Sequence, residues 1–345
     1  MLQSSKSQKP EAKYPLPASD FRQFARTVIT WFMQKMRGGF MKGKQKKLWK
    51  DISKNAGLYA LLAIPVIWYI VFKYVPMYGI QIAFRRFNPT LGITGSPWVG
   101  MTYFKQFFES YYFKDVLANT VTLSLFTLAI GFPVPIFLAL LINEIKNSKL
   151  KKAVQNITYI PNFLSVVVIV SMLSLFSNKE YGLFNQITAI FGAAPVDYMS
   201  RPSSFQPLYV FSNVWQHMGF NAIIYIAALS AVDPQLYEAS SIDGASRLQK
   251  ILHISIPSIM GTILILLIMR IGNIMSVGFE KVLLMQNDVT LSASEIISTF
   301  IYKNGIQKGQ FSYSTAVGIF NSAINFILLA SANFISKKTA KTGLW

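Results

Sequence analysis

Residues 238–257 read EASSIDGASRLQKILHISIP and lie between two long apolar stretches of the chain. Serine, aspartate and glycine in this insert favour turns and helix ends, and Pro257 closes it. A polar insert of this kind predicts a short, solvent-exposed element that joins two longer apolar helices. Whether those helices lie in protein or in lipid depends on the composition of the rest of the chain.

The composition indicates a polytopic membrane protein. Of the 345 residues, 52% are hydrophobic and 14% are charged, and the mean hydropathy is +0.38, which is too apolar for a soluble protein of this length. The chain has no cysteine, so it forms neither a disulfide nor a thiolate site. Two histidines, His217 and His253, leave little for metal binding, and we predict no metal site.

Six apolar runs are long enough to cross the roughly 30 Å of a bilayer's hydrocarbon core, which takes about 20 helical residues. They lie at 58–80, 116–142, 157–176, 208–231, 254–277 and 312–335. Prolines inside these runs are compatible with a bundle, where neighbouring groups satisfy the freed backbone. The sequence therefore predicts an all-α membrane protein in which residues 58–345 form six transmembrane helices, with both chain ends on one side.

The basic residues predict the orientation. Segments on the side of the chain ends hold 22 of the 33 Lys and Arg residues, and segments on the opposite side hold 9. Because basic loops stay in the cytoplasm, we expect both termini to be cytoplasmic and the chain to lie in the bacterial cytoplasmic (inner) membrane. The net charge of +19 then reflects topology and attraction to anionic membrane lipid, and we expect no nucleic-acid partner.

Residues 1–57 form a basic cytoplasmic arm before the first span. Between Phe21 and Met36 the apolar and basic residues suit an amphipathic helix lying on the inner leaflet. A partly disordered arm is the alternative, and the sequence leaves both open.

In this topology the loop at 232–257 is cytoplasmic, and its residues predict two short helices with a bend between them. An Asp-Pro pair at 233 and 234 starts the first helix, because aspartate accepts hydrogen bonds from free amides and proline suits the first turn. Gly244 ends it. Ser246 with Gln249 resembles a capping box that opens the second short helix, which we expect to end at Pro257.

This insert resembles the EAA motif of permease subunits from binding-protein-dependent ABC importers, which reads Glu-Ala-Ala, three residues, Gly, nine residues, Ile, one residue, Leu-Pro. The residues that match at the family spacing are Glu238, Ala239, Gly244, Ile254 and Pro257. Ser240 replaces the second alanine and Ile256 replaces leucine. The resemblance implies the type I ABC importer permease fold, with a cytoplasmic coupling helix in a cleft of an ATPase subunit. Its coupling residues would be Glu238, Ala239, Ser240, Asp243, Gly244 and Ala245. An ordinary loop of two amphipathic helices resting on lipid is the alternative.

Outside the insert, residues 58–345 resemble the maltose-type carbohydrate permeases. The matching features are Asn119-Thr120, Ile160-Pro161 and the turn at 181–185. Residues 74–81 and 95–100 are similar to the branch that handles oligosaccharides and polysaccharide fragments. The resemblance implies import of oligosaccharides, acidic polysaccharide fragments among the candidates. It also implies the partners: an extracytoplasmic solute-binding protein, two ATPase subunits and a second homologous permease chain, with a heterodimer favoured over a homodimer.

Several polar or aromatic residues lie within predicted spans, where polar groups normally face an interior or a cavity. The candidate pathway residues are Asn213, Trp215, His217, Asn221, Tyr225, Arg270 and Asn273. Asn213, His217 and Asn221 recur every four residues and share one helix face. Such side chains also hold helices together, and Trp215 suits an interfacial anchor. Arg270 would favour an acidic sugar if it lay in the pore, but it also suits snorkelling or pairing with a carboxylate.

The chain carries no motif for an energy source or for catalysis. It has no Gly-rich phosphate loop, no His-Glu-x-x-His helix and no triad, so we predict a non-catalytic subunit without a cofactor, with ATP and Mg bound by the partner subunits. A stand-alone secondary transporter is the alternative function, but that class needs membrane-embedded carboxylates. No acidic residue lies well inside a predicted span.

Overall fold

The computed structural model describes residues 54–340 and 343–344. The basic arm predicted at 1–57, with its amphipathic helix, lies almost entirely outside these residues. Within the described part of the chain every regular element is helical, and β pairing is limited to two isolated bridges, Arg85 with Trp98 and Asn88 with Gly92. The all-α prediction is therefore confirmed for these residues.

The chain divides into two compact units after Pro76. In the first unit, helix α1 (Ala56–Tyr69) continues into a π-helical turn, Ile70–Tyr74. A 3-10 helix, Val75–Phe84, follows directly. The whole run Ala56–Phe84 has 29 residues and is apolar enough to cross a membrane, in agreement with the first predicted span.

The second unit contains the remaining helices. They are α2 (Gly92–Gly95), α3 (Thr102–Phe108), α4 (Phe113–Gly131), α5 (Pro133–Glu144), α6 (Ser148–Tyr159), α7 (Val166–Ser177), α8 (Leu183–Ile190), α9 (Pro202–Ser230), α10 (Pro234–Ile242), α11 (Arg247–Lys250), α12 (Ile256–Ile271), α13 (Phe279–Met285), α14 (Leu291–Ser294), α15 (Ile297–Tyr302) and α16 (Phe311–Ala340). A 3-10 segment, Ile160–Phe163, extends α6, and π-helical segments at Ile251–Ser255 and Lys303–Gln307 extend α11 and α15.

Four helical runs in the described residues are long and apolar enough to cross a membrane. They are Ala56–Phe84, Phe113–Glu144, Arg247–Ile271 and Phe311–Thr339. A fifth candidate is α6 together with α7, a pair bent by 98°. Helix α9 has 29 residues and covers positions 208–230 of the predicted fourth span, but polar side chains along it reduce its mean hydropathy. The structure thus supports four to five apolar spans.

The bend between α6 and α7 breaks the span that the sequence predicts as continuous at 157–176. Leu164 and Ser165 have extended backbone conformations there. The Ser165 hydroxyl accepts the backbone N–H of Val168 and so caps a new helix. On the other side of the break, the Gln216 side chain donates a hydrogen bond of 3.2 Å to the Leu164 carbonyl. In a continuous helix these backbone N–H and C=O groups would bond to each other. At the break, side chains of Ser165 and Gln216 bond to them instead and stabilise it.

Helix α9 is central to the second unit, since it packs against α4, α5, α6 and α12 and also contacts α13 and α14. Its buried side chains include Tyr209, Val210 and Ala222. Where α6 approaches, a Cβ atom on Gly219 would overlap the Thr158 carbonyl group, so only glycine allows this close packing. Functional side chains on α9 are therefore held by neighbours on several sides.

Candidate functional site

A polar cavity of about 550 Å³ lies between α4, α9 and the segment that runs from the end of α12 into α13. Its hydroxyl, amide, imidazole and charged groups come from Ser124, Thr127, Asn213, Gln216, His217, Asn221, Arg270, Asn273, Ser276, Glu280 and Lys281. Apolar walls come from residues such as Val166 and Phe279. A cavity with convergent polar groups in an otherwise apolar helical bundle is suited to a polar ligand.

The structure brings five of the seven predicted pathway residues together in this cavity. They are Asn213, His217, Asn221, Arg270 and Asn273. The Nδ1 atom of His217 lies 2.9 Å from the Asn213 carbonyl oxygen. Because a carbonyl oxygen accepts hydrogen bonds and does not donate, Nδ1 carries the proton and Nε2 stays available to a ligand. The amide of Asn273, in the turn that follows α12, donates to the Met269 carbonyl in the last turn of that helix.

The two remaining candidates lie elsewhere. Tyr225 lines an adjoining cavity of about 310 Å³ that shares Asn221, Arg270 and Asn273 with the first. Trp215 faces an apolar cavity of about 720 Å³ on the other side of α9. Trp215 is 42% exposed, so its side chain lies at the outer surface of the described bundle and not in the polar cavity.

Several polar cavity residues were not predicted from the sequence, namely Ser124, Thr127, Gln216, Ser276, Glu280 and Lys281, and Lys281 is the buried cation among them. It lies in α13, is 4% exposed, and its ammonium lies 5.6 Å from the centre of the Tyr209 ring. Burial lowers the pKa of Lys281 to about 8. Nothing in the local sequence around 281 distinguishes this lysine from a solvated one, because its burial depends on Tyr209, about 70 positions earlier in the chain.

Arg270 lines both polar cavities. The ion pairs found among the described residues are Lys105 with Glu109 and Lys303 with Glu295, so Arg270 pairs with no carboxylate in this part of the chain. Pairing with a carboxylate was one of the alternatives that the sequence left open for Arg270. The described bundle contains no such partner.

The insert begins with the predicted helix start. The Asp233 carboxylate accepts the backbone N–H of Gln235 at 2.9 Å, with Pro234 in the first turn of α10. At the far end, Gly244 has a φ of +74°, the left-handed conformation that glycine adopts most readily. The backbone N–H groups of Gly244 and Ala245 donate to the carbonyls of Ser241 and Ser240, which is the Schellman arrangement.

The second half of the insert differs from the prediction. The capping box is present, since Ser246 N donates to Gln249 Oε1 at 2.7 Å and Gln249 N to Ser246 Oγ at 3.4 Å. The helix that it opens does not end at Pro257 but continues as one run, Arg247–Ile271. The prediction of a second short helix is therefore wrong. The π-helical turn Ile251–Ser255 lies one turn before Pro257, where a proline leaves a carbonyl without its usual partner.

The predicted coupling residues lie on the surface of the insert. Glu238, Ala239, Asp243 and Gly244 are exposed, and Ser240 and Ala245 are half-buried. The apolar side chains Leu236, Ile242 and Leu248 are 49%, 88% and 65% exposed. Two internal bonds hold the insert in shape: Tyr237 Oη to Ser255 Oγ at 3.0 Å, and Lys250 Nζ to Ser241 Oγ at 2.7 Å.

Comparison with known proteins gives one family match. The family described as "Binding-protein-dependent transport system inner membrane component" matches residues 131–341. This range includes all of the insert and every cavity residue on α9, α12 and α13.

Two relatives from Bacillus subtilis (strain 168) align with most of the chain. The polygalacturonan/rhamnogalacturonan transport system permease protein YteP is 43% identical over 306 residues, which cover 89% of this chain and 95% of the relative. Protein LplB is 39% identical over 294 residues, which cover 85% and 92%.

Two crystal structures contain a similar chain. One is a bacterial alginate ABC transporter in complex with an alginate pentasaccharide-bound periplasmic protein; the match has a TM-score of 0.79 at 38% identity and covers 86% of this chain and 100% of that chain. The other is a bacterial ABC transporter involved in the import of the acidic polysaccharide alginate, with a TM-score of 0.78 at 38% identity and coverage of 85% and 99%.

Proposed function

This chain belongs to the family of binding-protein-dependent transport system inner membrane components, and from that membership we propose that it is the permease subunit of an ATP-driven oligosaccharide importer. The observation that carries the sugar assignment is the polar cavity between α4, α9 and α13. Its volume of about 550 Å³ lies within the range of about 300–1,000 Å³ that is usual for ligand pockets.

The chemistry of the cavity suits a carbohydrate. Sugar hydroxyls need both donors and acceptors, which the side chains of Asn213, Asn221 and Ser124 provide. Apolar sugar ring faces need apolar contacts, which Phe279 and Val277 provide in the same cavity. A relative named as a permease for polygalacturonan/rhamnogalacturonan and a similar chain from an alginate importer support a substrate class of oligosaccharides that includes acidic polysaccharide fragments.

We infer that the membrane domain has six spans, with α9 as the fourth. A helix of 29 residues is about 43 Å long at 1.5 Å per residue, which exceeds the roughly 30 Å of the hydrocarbon core. The polar groups that dilute its hydropathy, including Asn213 and His217, face the cavity, where a spanning helix tolerates them. The basic segments then keep both termini cytoplasmic.

We also propose that the insert is the coupling element between this chain and an ATPase subunit. Helix α10 offers the exposed side chains of Leu236, Glu238 and Ile242 to a partner. The turn at Gly244 and the bond from Tyr237 to Ser255 join α10 to the helix that continues into the membrane. Movement of α10 would therefore reach Arg270, near the end of that helix.

The remaining partners follow from the same proposal. A second permease chain, different from this one, would complete the pathway, two ATPase subunits would bind ATP and Mg, and a solute-binding protein would deliver the sugar. The alginate transporter complex with its periplasmic protein supports the last of these. Because the family is defined by dependence on a binding protein, it favours this assembly over a stand-alone secondary transporter.

The complete transporter, reconstituted in proteoliposomes with its binding protein, tests the coupling assignment. Uptake of a radiolabelled oligosaccharide and ATP hydrolysis are measured together. A valine at 244 is strained by about 1–2 kcal/mol at a φ of +74°. Because about 1.4 kcal/mol corresponds to a factor of ten in an equilibrium, Gly244→Val should reduce sugar uptake per ATP about tenfold. Gly244→Asn is the control, because asparagine tolerates this conformation.

Intact coupled uptake by Gly244→Val would refute the coupling role of the insert. Absence of ATP-dependent uptake of any oligosaccharide by the wild-type complex would refute the function itself.

A further inference from the structure

Lys281 is a buried cation for which the described part of the chain supplies no counter-charge. Its side chain is 4% exposed, and its ammonium forms no ion pair and donates no hydrogen bond there. Neighbouring Glu280 lines the same cavity without pairing with it. Buried charges are costly unless they are paired. An unpaired ammonium at a cavity wall therefore indicates a group that binds an anion during the functional cycle.

The surroundings of Lys281 hold it in place. Its ammonium lies 5.6 Å from the centre of the Tyr209 ring, close enough for a cation–π attraction, and Tyr209 is 2% exposed. At the start of α13, a Cβ atom on Gly278 would overlap the Tyr209 hydroxyl. The glycine thus lets α13 approach α9 closely, and the lysine is confined beside the aromatic ring.

The cavity carries an excess of positive charge. Lys281 and Arg270 line it with one carboxylate, that of Glu280, and with the imidazole of His217. A concave site with low-dielectric walls concentrates ions of opposite sign. With a pKa near 8, the Lys281 amine is mostly protonated at neutral pH, so its charge is present when the transporter works.

We propose that Lys281 receives a carboxylate of the passing sugar and makes the importer prefer uronate-containing oligosaccharides to neutral ones of the same length. This inference rests on the proposed function, since it requires a sugar pathway through the cavity. The three N–H donors of the ammonium match the lone pairs of a carboxylate. A neutral sugar brings no charge to offset the cost of the buried cation, whereas a uronate does.

The test uses the complete reconstituted transporter and two probes, trigalacturonate and its fully methyl-esterified form, which differ in charge but not in length. The variants are Lys281→Met, which keeps the volume without the charge, and Lys281→Arg, which keeps the charge. Lys105→Met is the control, because Lys105 is an exposed lysine paired with Glu109. Basal ATP hydrolysis and retention of the partner subunits report on structural integrity.

The expected result is a loss of about tenfold in kcat/KM for trigalacturonate with Lys281→Met, which corresponds to about 1.4 kcal/mol, while the loss for the ester is much smaller and the partner subunits are retained. Lys281→Arg should recover most of the acid uptake, and Lys105→Met should behave as wild type.

Three results would overturn the assignment: wild-type uptake of trigalacturonate by Lys281→Met, an equal loss for acid and ester, or loss of the second permease chain, which would mean that Lys281 serves a subunit contact. If the wild type imports neutral oligosaccharides and no uronate, the role of Lys281 fails while the proposed function stands. If it imports neither, the proposed function itself fails.

Discussion

Thr120 joins two parts of the chain that are far apart in sequence. Its hydroxyl donates to the Val116 carbonyl one turn earlier and accepts the backbone N–H of Ile297 at 2.9 Å. Next to it, the Asn119 amide donates to the carbonyls of Ser292 and Glu295. These bonds attach α4 to the segment that precedes α15.

We predict that Thr120→Val destabilises the protein by about 1–3 kcal/mol, the usual cost of a buried donor that loses its acceptor. Thr120 is 0% exposed, so water cannot replace the hydroxyl, and valine has the same shape. Thermal unfolding in nanodiscs measures the effect. Thr120→Ser keeps the hydroxyl and should lose less; an equal or larger loss in the serine variant would show that packing of the methyl group matters more than the bond.

At this scale the sequence identified the Asn119-Thr120 pair through resemblance alone, and the hydrogen bonds supply the physical reason. It did not identify Lys281, since burial of a lysine is decided by residues from other elements. Lys105 shows the contrast: the same residue type in a comparable local sequence is largely exposed and paired with Glu109. Asn213, His217 and Asn221 on α9 were found because polar residues spaced four apart within an apolar run are a local signal.

Helix ends in the insert could be read from the sequence because capping is local chemistry. The Asp233 cap, the Gly244 turn and the capping box at Ser246 each involve residues no more than five positions apart. The position of Pro257 misled the prediction, because a π-helical turn allows the helix to continue past it. The break at Leu164 was missed for a different reason: Gln216, which bonds its carbonyl, comes from another helix.

Two helical glycines test how closely the elements pack. A Cβ atom on Gly219 would overlap the Thr158 carbonyl of α6, whereas one on Gly261 in α12 meets nothing within 4 Å. Gly261→Ala should therefore stabilise the protein by about 0.5–1 kcal/mol through helix propensity. Gly219→Ala should destabilise it by about 1–3 kcal/mol, the usual cost of overpacking.

Thermal unfolding of both alanine variants in the same nanodiscs measures the difference between them. Equal effects of the two substitutions would mean that α6 does not press against α9 at Gly219.

At the scale of the whole molecule, the arrangement depends on α9. The same helix supplies Tyr209 beneath Lys281, the amides of the cavity and Gly219 at the contact with α6. Hydropathy alone gives a weak signal for such a helix, because a helix that lines a polar cavity must carry polar residues. Composition could therefore predict the fold class, but the span count depends on recognising α9, and the orientation read from loop charge stays a prediction.

Labelling of single cysteines tests that count directly, since the chain has no cysteine of its own. Three exposed positions are suitable: Lys179 before α9, Gln235 after it and Asp288 after α12. In cells whose wall or outer membrane has been removed, a membrane-impermeant maleimide should label Lys179→Cys and Asp288→Cys but not Gln235→Cys. Inverted vesicles should give the opposite pattern, because the loop charges predict that Gln235 lies on the cytoplasmic side.

Each pair of these positions isolates one helix. Only α9, among the predicted spans, lies between 179 and 235, so labelling of both from the same side would show that α9 does not cross the membrane and would remove the six-span arrangement. Only the run Arg247–Ile271 lies between 235 and 288. Labelling of Gln235→Cys from outside would place the insert away from any cytoplasmic ATPase, and the coupling proposal would then fail even if the cavity carries sugar.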